Sequence, residues 1–348
     1  MDKVLDTVGA MPYEDRHATG HELDTMLLSC TFNAKHCSPE NFTMFYNYRY
    51  GNCFTFNSGR ESTPKLNVTK SGPNYGLSME LLIEQHQYIP DLENGAGVRI
   101  SIHNQSSMPF PEDKGTNISP GRETFIGVHK SFVQRLPSPY GDCQRVFEER
   151  NIFKTEFNHI HYTQKACLKD CYFKEVLEKC HCADVRYRYD DSLLACNTTV
   201  NGMCIESIET SYADGTLNCS YCQMECSEVI FDKVVSSSVW PSRLYKDTLT
   251  WKIWDRMNSS RSLIEKEDKF VEDNLLRVNV YFDQLEYEDI NQGPAYDVTS
   301  LLGDLGGNVG LWIGVSVLTM FEFLELVLDI AYLAYHGCRM VSEKSVVI

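Results

Sequence analysis

Three carboxylates lie inside the longest apolar stretch of this 348-residue chain. The stretch covers residues 301–335, and from residue 309 to residue 335 nearly every residue is apolar except Glu322, Glu325 and Asp329. About 20 apolar residues let a helix span a bilayer, and a charge at the centre of such a helix costs at least about 2.5–3.5 kcal/mol. Spacings of three and four residues place these carboxylates on one helix face. The pattern therefore predicts a transmembrane segment with a water-facing side that attracts cations.

Glycines recur along the first half of the same stretch, at positions 303, 307, 310 and 314. Small residues at this spacing let helices of several chains approach closely. Two less specific interpretations remain open: the stretch is an amphipathic helix in a soluble core, or the glycines serve helix packing alone. The length of the apolar run favours a membrane, because such runs are rare outside membranes.

Composition indicates the compartment and excludes one class of partner. The net charge of −16 argues against nucleic acid, which requires basic patches, whereas an acidic surface concentrates cations. Thirteen of the fourteen cysteines precede the apolar stretch. The Asn-x-Ser/Thr sequons also precede it, at Asn41, Asn67, Asn104, Asn117, Asn197, Asn218 and Asn258. Cysteines and sequons on one side indicate an oxidising, glycosylating compartment.

The predicted arrangement is therefore that of a plasma-membrane protein. Residues 1–299 form an extracellular domain, residues 300–336 the transmembrane segment and residues 337–348 a short cytoplasmic tail. Residues 1–30 contain no apolar run that could serve as a leader or first membrane helix. An odd number of extracellular cysteines also leaves one without a partner. We therefore expect that a membrane helix and one cysteine precede this sequence in a longer chain.

Ten cysteines are concentrated in residues 143–226, called the cysteine-rich segment below. Cys167 and Cys171 lie four apart in a predicted helix over residues 164–180, so both face one side. Zinc is the competing chemistry, because Cys180-His181-Cys182 and the group formed by Cys219, Cys222 and Cys226 contain ligand-like spacings. The sequons and the even number of cysteines favour disulfides. Sequence spacing alone does not select their pairing.

Alternation of apolar and polar residues predicts strands over residues 97–104, 123–135 and 275–285. Residues 240–257 and 261–274 are typical of charged, solvated helices. No Ser/His/Asp or Cys/His set is recognisable as a nucleophilic centre, so the sequence does not predict an enzyme. Nor does it predict a cofactor.

Several motifs now indicate a family. LLGDLGGNVGLWIGVSVLTMFEFLE resembles the second membrane segment of the degenerin/epithelial sodium channel superfamily. LLSCTFNAKHCSPENF, YGNCFTFNSG and the cysteine-rich segment resemble the extracellular domain of its acid-sensing and degenerin branches. The resemblance covers residues 22–335. It implies an α+β fold: a disulfide-rich extracellular domain of palm, ball, finger, thumb and knuckle parts, followed by one C-terminal transmembrane helix. The thumb would be residues 143–226.

The resemblance also implies a disulfide pairing. Cys53 matches a cysteine whose partner in the family lies before residue 1 of this sequence, so it would be unpaired here. The implied pairs are Cys30–Cys37, Cys143–Cys226, Cys167–Cys222, Cys171–Cys219, Cys180–Cys204 and Cys182–Cys196.

The resemblance assigns roles to the membrane segment. Gly314, Val315 and Ser316 match the selectivity filter, where glycine breaks the helix at low cost and backbone carbonyls replace part of a cation's hydration shell. Gly310 matches an amiloride contact. Gly303 matches the degenerin gating position, at which bulky residues hold these channels open. The three carboxylates would form rings below the constriction.

The implied function is a subunit of a stimulus-gated, amiloride-sensitive, sodium-preferring cation channel. It would act as a homo- or hetero-trimer with related subunits in membrane lipid, with sodium as permeant ion and no resident metal site. The extracellular stimulus would be protons or a peptide. Candidate proton sensors are Asp91, Glu93, Glu206 and Glu209, for which a solvated acidic surface is the alternative. A second function class also remains open: a non-conducting, single-pass regulatory or binding subunit that assembles with complete subunits.

Overall fold

The computed structural model describes residues 2–59, 65–89, 94–105, 107–147, 151–153, 160–256, 269–314 and 316–344. The chain divides into two compact units, Met1–Gln292 and Gly293–Ile348. Each unit is described by itself below.

The described part of the first unit contains ten β-strands. They are β1 Leu27–Phe32, β2 Lys35–His36, β3 Phe42–Asn47, β4 Gly51–Phe56, β5 Leu77–Leu82, β6 Val98–Ile100, β7 Thr116–Ile118, β8 Arg122–Gln134, β9 Ser227–Val239 and β10 Leu275–Asn291. Six of them form one sheet in the order β2-β1-β5-β10-β8-β9. Strands β3 and β4 form a separate antiparallel pair, as do β6 and β7.

Strand β10 is the centre of the six-stranded sheet. It pairs antiparallel with β5 and parallel with β8, whereas the other neighbours in the sheet are antiparallel. Leu275, Leu276 and Val278 are fully buried, which explains the strong alternation in this part of the sequence. From Asp283 onward the strand is exposed, and its pairing with β8 is irregular between Phe282 and Tyr287. Burial of apolar side chains therefore stabilises the first half of β10, whereas the second half is held mainly by hydrogen bonds to β8.

Helices surround the sheet and complete the predicted α+β class, which is confirmed. In the first unit they are α1 Asp2–Ala10, α2 Tyr13–His17, α3 Leu23–Met26, α4 Gln164–Cys180, α5 Thr198–Ala213, α6 Arg243–Arg256 and α7 Phe270–Asn274. Short 3-10 turns cover Pro39–Asn41, Pro73–Tyr75 and Gln85–Gln87. In the second unit, α8 is Val298–Ile313 and α9 is Val317–Lys344.

Apolar side chains fill both faces of the sheet. One cluster includes Ile126, Val128 and Val278, together with Leu27 and Leu81. The other joins Leu82 and Leu275 to Trp240, Leu249, Ile253, Phe270 and Val271. Full burial of such side chains contributes about 1.5–3 kcal/mol each. The first cluster packs on one face of the six-stranded sheet, and the second packs helices α6 and α7 against the other face.

Helix α6 differs from the solvated helix that the sequence predicts. Its Leu249 and Ile253 are fully buried, whereas Leu244 and Trp251 are exposed. Tyr245 packs against the same cluster. Tyr245, Leu249 and Ile253 therefore lie on one face of the helix, at the i, i+4 spacing that is typical of a buried stripe. Charged residues stand between these positions, so composition alone predicts a solvated helix without a buried face.

The second unit holds two helices where the resemblance implies one transmembrane helix. In the described part of the chain, no single helix is both long and apolar enough to cross a membrane. The segments Val298–Trp312 and Val317–His336 meet the length and composition criteria only as a pair, with a bend of 80° between them. The predicted spanning segment is therefore interrupted at the glycine that the sequence singled out.

Candidate functional site

Helix α8 ends at Gly314 because this residue has a left-handed backbone, with φ +68° and ψ 17°. Its N–H donates to the carbonyl oxygen of Gly310 at 3.0 Å, which closes the last turn. Residues with a Cβ adopt this conformation at a cost of roughly 1–2 kcal/mol, whereas glycine adopts it freely. The helix break thus depends on the residue type at position 314.

Helix α9 begins at Val317 because Ser316 caps it. The Ser316 hydroxyl accepts from the Thr319 N–H at 3.2 Å, and the Ser316 N–H donates to Thr319 Oγ1 at 3.3 Å. Such reciprocal hydrogen bonds satisfy donors that a helix start otherwise leaves without partners. Val315 lies outside the described residues.

The break leaves carbonyl groups for other partners. The last carbonyls of a helix have no partner within it and carry the negative end of its dipole. In the last turn of α8, the Gly310 oxygen accepts from the Gly314 N–H. Carbonyl oxygens with free lone pairs can replace part of a cation's hydration shell.

Glu322, Glu325 and Asp329 lie on α9 in the turns that follow the break, and all three side chains are exposed. Large apolar side chains on the same helix are exposed as well, including Phe321 at 65% and Leu328 at 61%. A contiguous exposed apolar surface of this kind indicates contact with lipid or with another protein. The helix therefore combines a carboxylate line with apolar surface.

Glycines of α8 face open space within the single chain. A Cβ added at Gly303, Gly306 or Gly307 would meet no heavy atom within 4 Å. Packing within the described part of the chain therefore does not explain these glycines. Gly303 and Gly310 lie seven residues apart on α8, close to one face.

The start of α8 is fixed by side chains. The Asp297 carboxylate accepts from the Ser300 N–H at 2.7 Å, a helix N-cap. The Tyr296 hydroxyl donates to the Asp304 carboxylate one turn further along. Asp304 is a fourth carboxylate of the apolar stretch that sequence reasoning did not single out, although its position in the GDLGG motif was visible.

Disulfides hold the cysteine-rich segment together. The structure joins Cys30–Cys37, Cys143–Cys226, Cys167–Cys222, Cys171–Cys219, Cys180–Cys204 and Cys182–Cys196, the same pairs that the resemblance implies. The bond between Cys143 and Cys226 closes a loop with a sequence separation of 83, for which chain entropy gives about 4–5 kcal/mol of stabilisation. Zinc ligation by these sulfurs is excluded because each is already in a disulfide. Among the described residues, no group of three or more His, Cys, Asp or Glu could hold a metal ion.

Cys53 on β4 is unpaired in the described part of the chain. It lies on the wall of a large cavity of about 2260 Å³. Burial of the thiol, followed by the nearby negative charge of Glu112, raises the pKa of Cys53 to about 12. The neutral thiol is therefore its form at physiological pH.

This pKa predicts slow alkylation of Cys53. Only the thiolate reacts, and a rise in pKa from 9.0 to about 12 lowers its population about a thousandfold at pH 8. We expect iodoacetamide to label Cys53 about a thousandfold more slowly in the folded chain than in the denatured chain, as followed by peptide mass spectrometry. Equal labelling rates in the two states would contradict the assignment.

The candidate proton sensors are placed differently from one another. Asp91 and Glu93 lie outside the described residues. Glu206 and Glu209 lie on α5, where Glu206 is exposed and Glu209 forms an ion pair with Arg186. Glu209 thus faces a cation, and the structure does not show a close pair of like charges at this position. Proton sensing by these four residues stays a prediction.

Arg186 is the centre of a polar network that the sequence did not reveal. Its guanidinium contacts the Asp184 carboxylate at 2.5 Å and the Tyr172 hydroxyl at 2.6 Å. Burial acts to lower the pKa of Arg186, but the hydrogen bond and charge of Asp184 together raise it above the ordinary value. Burial, and then the charge of Asp184, raise the pKa of Tyr172. The network ties α4 to α5 with charged groups in fixed protonation states.

A second network joins α4 to the loop before β7. The Lys169 ammonium lies 2.6 Å from Glu112 Oε1 and 3.3 Å from Asp113 Oδ2, with side chains of Lys169 and Glu112 only 9% and 6% exposed. Asn47 donates to the other Glu112 oxygen at 2.9 Å. The ammonium also lies over the Phe110 ring, 4.5 Å from its centroid. Local sequence gave no signal for this contact.

The sequons lie mostly on the surface. Asn104 is half-buried, and Asn258 lies outside the described residues. The exposed ones are Asn41, Asn67, Asn117, Asn197 and Asn218.

The profile of the family described as "Amiloride-sensitive sodium channel" matches residues 9–326. Epithelial sodium channel subunit beta-2 of Xenopus laevis is 32% identical over 92% of this chain and 49% of its own length. Acid-sensing ion channel 1C of Danio rerio is 32% identical over 90% of the chain and 56% of its own length. Degenerin unc-8 of Caenorhabditis elegans is 32% identical over 99% of the chain and 44% of its own length.

The chain thus spans about half the length of these relatives. Their names cover the epithelial, acid-sensing and degenerin branches, and the extracellular motifs resemble the latter two. The match of the family profile to most of the chain, together with the α+β fold and its disulfides, shows that the chain belongs to the amiloride-sensitive sodium channel family, the degenerin/epithelial sodium channel superfamily.

Proposed function

We propose that this chain is a subunit of a stimulus-gated, amiloride-sensitive, sodium-preferring cation channel. Residues 300–336 contribute the pore, with residues 1–299 outside the cell and residues 337–348 in the cytoplasm. The observation that carries the proposal is the helix break at Gly314 and Ser316, with carboxylates on the helix that follows. Broken backbone at membrane depth is tolerated only where it lines water or is buried in protein.

Several copies are needed to enclose a conduit. We propose a trimer of this chain or of this chain with related subunits, because the carboxylates share one face of α9 and a single bent helix pair cannot enclose a water-filled path. The open glycine face of α8 would let neighbouring copies approach closely. In this assembly Gly314, Val315 and Ser316 would form the selectivity filter, Gly310 an amiloride contact and Gly303 the gating position.

The carboxylates provide the experiment that tests the pore. Glu325→Gln removes one negative charge per copy, and fixed negative charge concentrates cations near a pore. We expect roughly a twofold or greater fall in inward single-channel sodium current at about 0.1 M salt. The fall should shrink at 1 M salt because the Debye length drops from about 10 Å to about 3 Å. Patch-clamp recording of channels assembled with a complete relative measures both effects.

Asp214→Asn is the matched control, since Asp214 is an exposed carboxylate at the end of α5. It makes the same change of charge and should leave the current unchanged. Unaltered current with Glu325→Gln would remove Glu325 from the conduit.

A regulatory role is the second candidate. The first unit, Met1–Gln292, packs around its own cores and disulfides, so an extracellular module could bind and modify complete subunits without conducting. In that case the chain would alter the currents of its partners while Glu325→Gln and Gly314 substitutions left conductance and selectivity unaffected.

A further inference from the structure

A second, smaller cavity is lined by residues of the cysteine-rich segment. Its volume is about 310 Å³. Its wall includes Cys167, near the start of α4, and Gln144, which follows Cys143 in the sequence. Small-molecule pockets have volumes of about 300–1,000 Å³, so one small ligand would fill it. Phe147 and Tyr162 form an apolar wall, with ring centroids 5.1 Å apart in an edge-to-face contact.

Two buried polar atoms at this cavity have no hydrogen-bond partner among the described residues. They are Oε1 of Gln144, an acceptor, and Nδ2 of Asn151, a donor. Asn151 is only 3% exposed. Leaving such a group buried and unpaired is unfavourable, and native structures contain few of them. The two atoms therefore point to a ligand that supplies both a donor and an acceptor.

A hydrogen bond fixes which end of the Asn151 side chain is free. Asn151 Oδ1 already accepts from the Phe153 N–H at 2.9 Å, which leaves the Nδ2 group for a ligand. The Gln144 backbone is held on both sides, because its N–H donates to the Met224 oxygen at 2.8 Å and its oxygen accepts from the Cys226 N–H at 3.0 Å. The Gln144 side chain thus projects from anchored backbone, and the Asn151 side chain is held at its oxygen.

Among the described wall residues of the cavity, the charges of Asp170 and Lys174 offset each other. Asp170 Oδ1 accepts from the Ile152 N–H at 2.9 Å, and its other oxygen lies 3.1 Å from the Lys174 ammonium. An ionised ligand would lose its hydration and gain no unpaired countercharge in return. An uncharged ligand fits this environment.

We propose that this cavity binds the primary carboxamide of a small, uncharged molecule. The carboxamide N–H donates to Gln144 Oε1, its oxygen accepts from Asn151 Nδ2, and the apolar body packs against Phe147 and Tyr162. A free carboxamide and the C-terminal carboxamide of an amidated peptide share this chemistry. The occupied site would connect the turn after Cys143 to helix α4.

Calorimetric titration of the full chain in detergent tests the site with defined probes. Benzamide should bind saturably with one site per chain, and benzoate, which has the same shape but a charge and no donor, at least about tenfold more weakly. Gln144→Met and Asn151→Leu should each weaken benzamide binding about fivefold, because each removes one hydrogen bond. Gln144→Met alone decides the matter if the buried Asn151 variant does not fold.

Gln223→Met is the matched control, since Gln223 is exposed and its side-chain amide donates to the Ser220 oxygen outside the cavity wall. It should leave the affinity unchanged. Acetylphenylalaninamide separates the two sources: binding as tight as that of benzamide indicates an amidated peptide end, and its exclusion indicates a free carboxamide. Absence of benzamide binding would show a cavity that holds only water. That result, equal binding of benzoate, or binding insensitive to Gln144→Met would overturn the proposal.

Discussion

Replacing Gly314 with valine should abolish the selectivity of the assembled channel. Gly314 has φ +68°, a region that β-branched residues enter only with strain. Valine would therefore shift residue 314 to ordinary helical or extended backbone and rebuild the break between α8 and α9. We expect the preference for sodium over potassium, measured as a reversal-potential shift under bi-ionic conditions, to fall about tenfold or the current to disappear.

Gly215→Val separates strain from pore chemistry. Gly215 has nearly the same backbone angle, φ +69°, and also faces open space, but it follows α5 in the first unit. The two variants should lose similar amounts of folding stability, while only Gly314→Val changes selectivity. If both variants, or neither, altered the reversal potential at equal surface expression, the filter assignment would be wrong.

The largest expected loss of stability follows from Lys169→Met. This change leaves the Glu112 carboxylate buried without its ammonium partner at 2.6 Å. Breaking a buried ion pair from one side costs about 3–5 kcal/mol because the remaining charge stays uncompensated. Denaturant unfolding of the full chain under non-reducing conditions should show that decrease in the free energy of unfolding.

Lys165→Met is the control for this prediction. Lys165 lies one turn earlier on α4, is 42% exposed and reaches Asp113 only at 3.9 Å, so its loss should change stability by less than about 1 kcal/mol. Adding Glu112→Gln to Lys169→Met should restore part of the stability, since no unpaired charge then remains. A double variant as unstable as the sum of both single variants would show that the pair is not coupled.

Several elements followed from local pattern. The alternation in residues 123–135 and 275–285 predicted β8 and the buried half of β10, and the predicted helix over residues 164–180 coincides with α4. Strand β9, Ser227–Val239, was not predicted. It is largely exposed and has no clear alternation, and its place is set by pairing with β8 along all 13 residues. Pairing of this kind is a property of the neighbour and leaves little trace in the strand's own sequence.

For the candidate site, the sequence by itself determined the positions that carry the pore proposal. Each of these positions depends on local chemistry. Gly314 has a backbone angle that suits glycine, Ser316 caps the helix through Thr319, and the three carboxylates follow helical spacing. Tertiary structure alone decided that Lys169 meets Glu112, that Arg186 neutralises Glu209 and that Gln144 and Asn151 border one cavity. These contacts join residues far apart in sequence, and which of them form depends on how the whole chain packs, since neither residue type nor periodicity encodes a distant partner.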